Sequence, residues 1–134
     1  MERSELALAY EQAWYVIEDG ADLTMRVGEK SPQLYSLLAR NEAETWAFLT
    51  AYNPQSEQVS EEQNLKHQSE LIDQIEKYGH KYLHGYGAGE GWDPEPSIFI
   101  LDIPRDAAIE LGRVFGQHAI LWGAVGEAPQ LVWC

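Results

Sequence analysis

An apolar run, Trp46-Ala-Phe-Leu-Thr-Ala51, breaks off at Tyr52-Asn-Pro-Gln-Ser56, and Ser60-Glu-Glu-Gln63 follows close behind. Serine followed three residues later by glutamine is a capping box: each side chain satisfies a backbone N–H at the start of a helix. A buried strand therefore finishes near the point where a long helix begins. The polar groups gathered at this junction, Asn53, Ser56 and Asn64, are the kind that line a site rather than fill a core.

The rest of the chain alternates in the same way. Ser4–Gln12 reads as a short helix. Trp14–Ile17 and Leu23–Val27 read as two strands joined by the turn Glu18–Asp22. Ser31-Pro32 opens a helix, because serine caps and proline suits the first helical position, and Leu34, Leu37 and Leu38 follow at helical spacing. The capped helix runs from Ser60 to about Tyr78, where Gly79 can stop it. Lys81–Tyr86 is a strand, Gly87–Pro96 a loop rich in glycine and proline, and Ile98–Ile103 a central strand, being almost wholly apolar. Pro104 starts a further helix with Ala107, Ala108, Leu111, Val114 and Phe115 inward. Ala119–Trp122 and Gln130–Trp133 are the last strands. From Trp46 to Trp122 the order is strand, helix, strand, strand, helix, strand. That order predicts an α+β fold: one domain with a ferredoxin-like (βαββαβ) antiparallel sheet core and an N-terminal β-hairpin plus helix extension.

This topology brings distant segments to one end. The first core strand ends at Ala51–Ser56, the long helix starts there, the Gly-rich segment returns there, and the second helix ends there at Gly116, Gln117 and His118. On the long helix, Leu71, Ile75 and Tyr78 define a buried stripe at 100° per residue. Its upward continuation is Asn64, flanked by His67 and Gln68. A buried amide left unpaired costs about 1–3 kcal/mol, so Asn64 needs partners from the strand end, water or a ligand. The ligand-binding candidates are Asn53, Ser56, Asn64, His67, Trp92, Glu95, Ser97 and Gln117. Amides and hydroxyls would supply hydrogen bonds and Trp92 would cover the ligand. Glu95 or His67 would serve as general base if chemistry occurs. The structural alternative is that Asn64 simply ties down the Asn53-Pro54 turn.

Composition removes several function classes. Twenty-two acidic against nine basic residues give a net charge of −13, with no basic cluster. Nucleic-acid binding and adhesion to anionic membranes both lean on Lys and Arg, so neither is expected. No apolar run reaches the length of a membrane span, and Met-Glu-Arg-Ser-Glu has no signal-peptide pattern. The single cysteine, Cys134, excludes an intramolecular disulfide and four-cysteine metal sites, and points to a reducing cytoplasm. His80 and His84 share a face, but no further ligands can be placed beside them, so no metal and no cofactor are expected. The alternating glycines from Gly85 to Gly91 fit neither a dinucleotide fingerprint nor a Walker loop, and no nucleophile elbow or His-Glu-x-x-His occurs.

Four segments stand out together: Trp46-Ala-Phe-Leu-Thr-Ala-Tyr-Asn-Pro-Gln-Ser56, Asn64 with Leu71, the Gly-rich segment before Trp92-Asp-Pro-Glu-Pro-Ser97, and Phe115-Gly-Gln-His-Ala119. In this order they resemble a bacterial family catalogued as domain of unknown function 3293. The resemblance implies a bacterial origin and one compact domain, and brings no activity with it. Two functions then compete. The first is binding of a small polar molecule in a recess at one end of the sheet. The other is a protein-interaction or assembly module, a homodimer among its forms, using the five tryptophans and seven tyrosines.

Overall fold

The computed structural model describes residues 2–134, the side chain of Trp92 excepted. It is a mixed α/β structure with four α-helices around one antiparallel sheet of seven strands. Helix α1 (Arg3–Gln12) leads into β1 (Trp14–Ile17) and β2 (Leu23–Met25), followed by α2 (Pro32–Arg40) and β3 (Thr45–Leu49). A short 3-10 turn, Pro54–Ser56, precedes α3 (Glu61–Lys77). Next come β4 (Tyr82–Gly89), β5 (Trp92–Leu101), α4 (Arg105–Val114), β6 (Ala119–Ala124) and β7 (Gln130–Trp133). The spatial order is β2-β1-β4-β5-β3-β6-β7, and every neighbouring pair is antiparallel.

Alternation along the strands splits the core between the two faces of the sheet. Trp46, Phe48, Phe99, Leu101 and Leu121 meet Leu34, Leu37 and Leu38 of α2 on one side. Ala47, Leu49, Ile98, Ile100 and Ile120 meet Leu71 and Ile75 of α3 and Ala108 of α4 on the other. The two sheet edges approach each other. The Gly28 N–H donates to the Pro129 carbonyl and the Tyr35 hydroxyl to the Glu127 carbonyl, both at 2.9 Å, so the sheet curls around the α2 side.

Three local expectations are corrected. The Gly-rich stretch is not a loop: β4 extends through Gly89 and β5 begins at Trp92, leaving a tight turn at Glu90-Gly91. At Gly85 the glycine answers crowding rather than a turn, because a Cβ there would collide with the Val16 carbonyl of the neighbouring strand. Tyr78 is 67% exposed, because it caps the C-terminus of α3 beyond the last core contact. Helix α4 sets Ala108, Leu111 and Phe115 against the core as expected, but not Ala107 and Val114. Ala108 and Gly112 are buried while Ala107 and Val114 face outward, since Gly112 is the point where Ile120 and Cys134 pack against the helix. No helix among the described residues is long and apolar enough to cross a membrane.

Candidate functional site

At the end of β3 the backbone is held by side chains of α3. The capping box forms as its sequence demands, with the Ser60 hydroxyl accepting from the Gln63 N–H, and it sets the rotational phase of the helix. Asn64 and Gln68, one turn apart, are thereby turned toward the strand end, and both are buried. Gln68 accepts from the Ala51 N–H at 2.9 Å and donates to the Pro96 carbonyl at 3.1 Å. Thr50, also buried, donates to the same carbonyl at 2.7 Å. The end of β3 is thus cross-tied to α3 and to β5.

Asn53 and Asn64 form a reciprocal pair. The Asn53 N–H donates to the Asn64 side-chain oxygen at 2.8 Å, and the Asn64 amide donates to the Asn53 side-chain oxygen at 3.0 Å. The Val59 N–H reaches that same oxygen at 3.2 Å. With its oxygen occupied, Asn53 turns its own NH2 group to Glu95, 3.4 Å from Oε2. Glu95 is half-buried, and burial pushes its carboxyl above the ordinary carboxylate value while the Asn53 hydrogen bond pulls it part of the way back.

The turn between Asn53 and Ser56 stores strain. Asn53, Gln55 and Ser56 have φ of 44°, 58° and 59°. Left-handed conformations in non-glycine residues cost about 1–3 kcal/mol each and persist only where the surroundings impose them. Here the surroundings are the residues after α4. The Gln55 N–H and side-chain amide both donate to the Gly116 carbonyl, at 2.7 and 3.0 Å. Gly116 has φ of 69°, and a Cβ on it would lie 2.8 Å from the Pro54 ring. The Gln117 amide donates to the Tyr52 carbonyl at 3.2 Å. The two most distinctive sequence segments, Asn53-Pro-Gln-Ser56 and Phe115-Gly-Gln117, are therefore two halves of one contact.

Three cavities meet at Glu95. An open cleft of about 850 Å³ is bounded by Tyr52, Asn53, Glu61, Asn64, Asp93 and Glu95 among others. A second, of about 360 Å³, lies between α1 and the turn, with Tyr10, Tyr52, Asn53, Ser56, Glu95 and Gln117 in its walls. The third, about 50 Å³, lies deeper among Tyr10, Tyr15, Phe48, Ser97 and Gln117. The charged residues lining these spaces are Glu61, Asp93 and Glu95, all carboxylates.

Of the eight residues singled out from the sequence, Asn53, Ser56, Asn64, Glu95, Ser97 and Gln117 stand around these spaces. Ser97 is buried and spends its hydroxyl on the Glu95 carbonyl, at 3.0 Å. His67 is elsewhere: it faces a groove of about 500 Å³ with Glu70, Arg113 and Phe115, and its buried Nδ1 has no partner among the described residues. Trp92 begins β5, and its side chain lies outside the described ones, so its proposed place over a ligand does too. Among the described residues no three His, Cys, Asp or Glu side chains converge as a metal ion would need.

Three contributors stand outside the candidate set. Gln68 is placed beside Asn64 on the helical stripe but is not counted among the candidates. Tyr10 carries no local signal; its phenol is pushed up to about 12, first by burial and then by the charges of Glu95 and Cys134. Glu61 accepts from the Tyr52 hydroxyl at 3.1 Å, a pairing that only the fold creates.

The sequence model of the family described as Protein of unknown function (DUF3293) matches residues 49–120, more than half of the chain. The chain belongs to this family. The matched stretch runs from the end of β3 to the start of β6 and contains every wall of the open cleft, whereas α1, which walls the second cavity, lies outside it. No curated protein and no solved structure matches the chain.

Proposed function

We propose that this end of the sheet binds a small polar molecule bearing a cationic group such as an amine or amidine. The observation that carries the reading is the charge of the cleft. The charged side chains in its walls are carboxylates, and among the described residues the Glu95 carboxylate has a single long hydrogen bond, from Asn53. Anionic ligands would meet three carboxylates and the field of a chain of net charge −13, a repulsive arrangement. The strained turn supports the reading, since strain held by surrounding contacts clusters at binding and catalytic positions. In this view the strands β4, β5, β3 and β6 with α3 and α4 are a ferredoxin-like unit, and the site is where its first strand hands over to its first helix. Glu95 is the group to take a proton if the bound molecule is transformed, being half-buried and above the usual carboxylate range.

The test is a thermal-shift screen built from matched pairs: each carbon skeleton offered once as an amine and once as a carboxylic acid. A ligand at 100 times its Kd adds about 2.7 kcal/mol of stability. Amines that raise the melting temperature, with an effect that weakens as salt is added, support the reading. Shifts produced by the acids and not by the amines would overturn it.

A further inference from the structure

Helix α1 is attached unlike the other three helices. None of its residues is buried, and Leu8 is 53% exposed. What holds it is the packing of Tyr10 against the core and a small set of contacts around one end of β7 and the start of β1. Tyr10 meets the Trp133 ring edge-on at 6.3 Å, Arg3 lies over the same ring at 4.2 Å, and the Tyr15 hydroxyl donates to the Tyr10 carbonyl at 2.7 Å. Directly after the helix, Ala13 is extended and 1% exposed, so the chain is pinned at one residue and passes into β1 without a loop.

What α1 covers gives this attachment a purpose. Leu6, Ala9 and Tyr10 form the outer wall of the 360 Å³ cavity. Tyr10 also lines the 50 Å³ pocket beneath it, where Ser97 is 5% exposed. Tyr10, Glu95 and Gln117 line both spaces, and Tyr10 is the one of the three that α1 carries.

We propose that α1 is a lid hinged at Ala13, with Tyr10 as the gate between the outer cavity and the inner pocket at Ser97. Opening breaks the contacts to Trp133 and exposes the inner pocket while the sheet stays folded. Few buried contacts and an exposed helix are the features of a segment that opens locally at low free energy. The lid stands apart from the ligand class proposed above, and its test needs no ligand.

The experiment places a thiol in the inner pocket with Ser97→Cys and follows its alkylation by iodoacetamide, read by peptide mass spectrometry at increasing urea. In parallel, amide hydrogen exchange of the unsubstituted chain compares α1 with α3. Local opening exposes little surface, so the labelling rate at position 97 should rise with urea far less steeply than global unfolding does. Removing the ring by Trp133→Ala should speed labelling about two- to tenfold, the range expected for losing one aromatic pair. Arg3→Ala, which leaves β7 intact, should speed it in the same direction by less. In the unsubstituted chain, α1 amides should exchange with a shallow urea dependence while α3 amides follow global unfolding. The proposal is overturned if position 97 is labelled only along the global unfolding slope. It is also overturned if α1 exchanges locally while neither Arg3→Ala nor Trp133→Ala changes the labelling rate.

Discussion

Asn64→Leu separates the structural and the binding roles of the polar end. The substitution continues the apolar stripe of Leu71 and Ile75 and is close in volume, so it opens no large cavity. It removes two hydrogen bonds, from the Asn53 N–H at 2.8 Å and to the Asn53 side-chain oxygen at 3.0 Å. The side-chain oxygen keeps its bond from Val59, but the Asn53 N–H is left without its acceptor. One buried donor left unpaired costs about 1–3 kcal/mol, and the added apolar burial offsets only part of that. For a chain of this length, each kcal/mol is worth about 3–5 °C in melting temperature. The expected loss is therefore about 3–15 °C, measured by urea and thermal unfolding. Asn53→Gly supplies the control, because glycine keeps the left-handed φ of 44° while losing the side chain. If the pair mainly holds the strained turn, Asn53→Gly costs less than Asn64→Leu. If Asn64→Leu leaves stability unchanged, the reciprocal pair is not what fixes the turn, and the reasoning from burial and hydrogen bonds fails.

Glu95→Gln tests the buried carboxyl by its pH dependence. Its folded-state pKa lies above the unfolded value near 4.5, so its ionised form costs stability at neutral pH. Below the unfolded value that cost is absent, and it grows as pH rises through the folded value. The variant should melt higher than the parent at pH 7 and equally at low pH; a gain of the same size at every pH would contradict the assignment. Gly116→Ala forces a Cβ to 2.8 Å from Pro54 at a φ of 69°, and should cost about 1–3 kcal/mol in urea unfolding. A neutral Gly116→Ala would show that the contact between the two signature segments is loose. A chelator should leave the melting temperature unchanged, because no side-chain cluster with metal-ligand geometry exists among the described residues; a sharp fall would overturn that.

Much of this arrangement was legible because its signals are local. The capping box sets the phase of α3, and that phase alone puts Asn64 on the stripe with Leu71 and Ile75. The succession of strands and helices along the chain could be laid out from the alternation of apolar runs and helix signals. What misled was punctuation that had another cause. Gly87–Pro96 read as a loop, yet the stretch continues β4 and opens β5, and at Gly85 just before it the glycine is demanded by the neighbouring strand, a contact invisible in one segment. The outward turn of Val114 depends on Cys134 and Ile120 meeting α4 at Gly112, and both are remote in sequence. His67 sits one position from Gln68 on the helix. A rotation of 100° separates a side chain tied into the strand end from one facing the groove beside Arg113. Tyr10 had no signal at all, since its role comes from where α1 lands.

The central claim is that Asn53, Asn64, Glu95 and Gln117 surround the bound molecule. The most direct measurement is a ¹H–¹⁵N spectrum of the protein titrated with the strongest amine from the screen, following side-chain NH2 as well as backbone signals. The account predicts saturable shifts in the side-chain amides of Asn53, Asn64 and Gln117 and in the backbone near Glu95, all lost in Glu95→Gln. Shifts centred instead on His67, Glu70 and Arg113, or unchanged by Glu95→Gln, would contradict it.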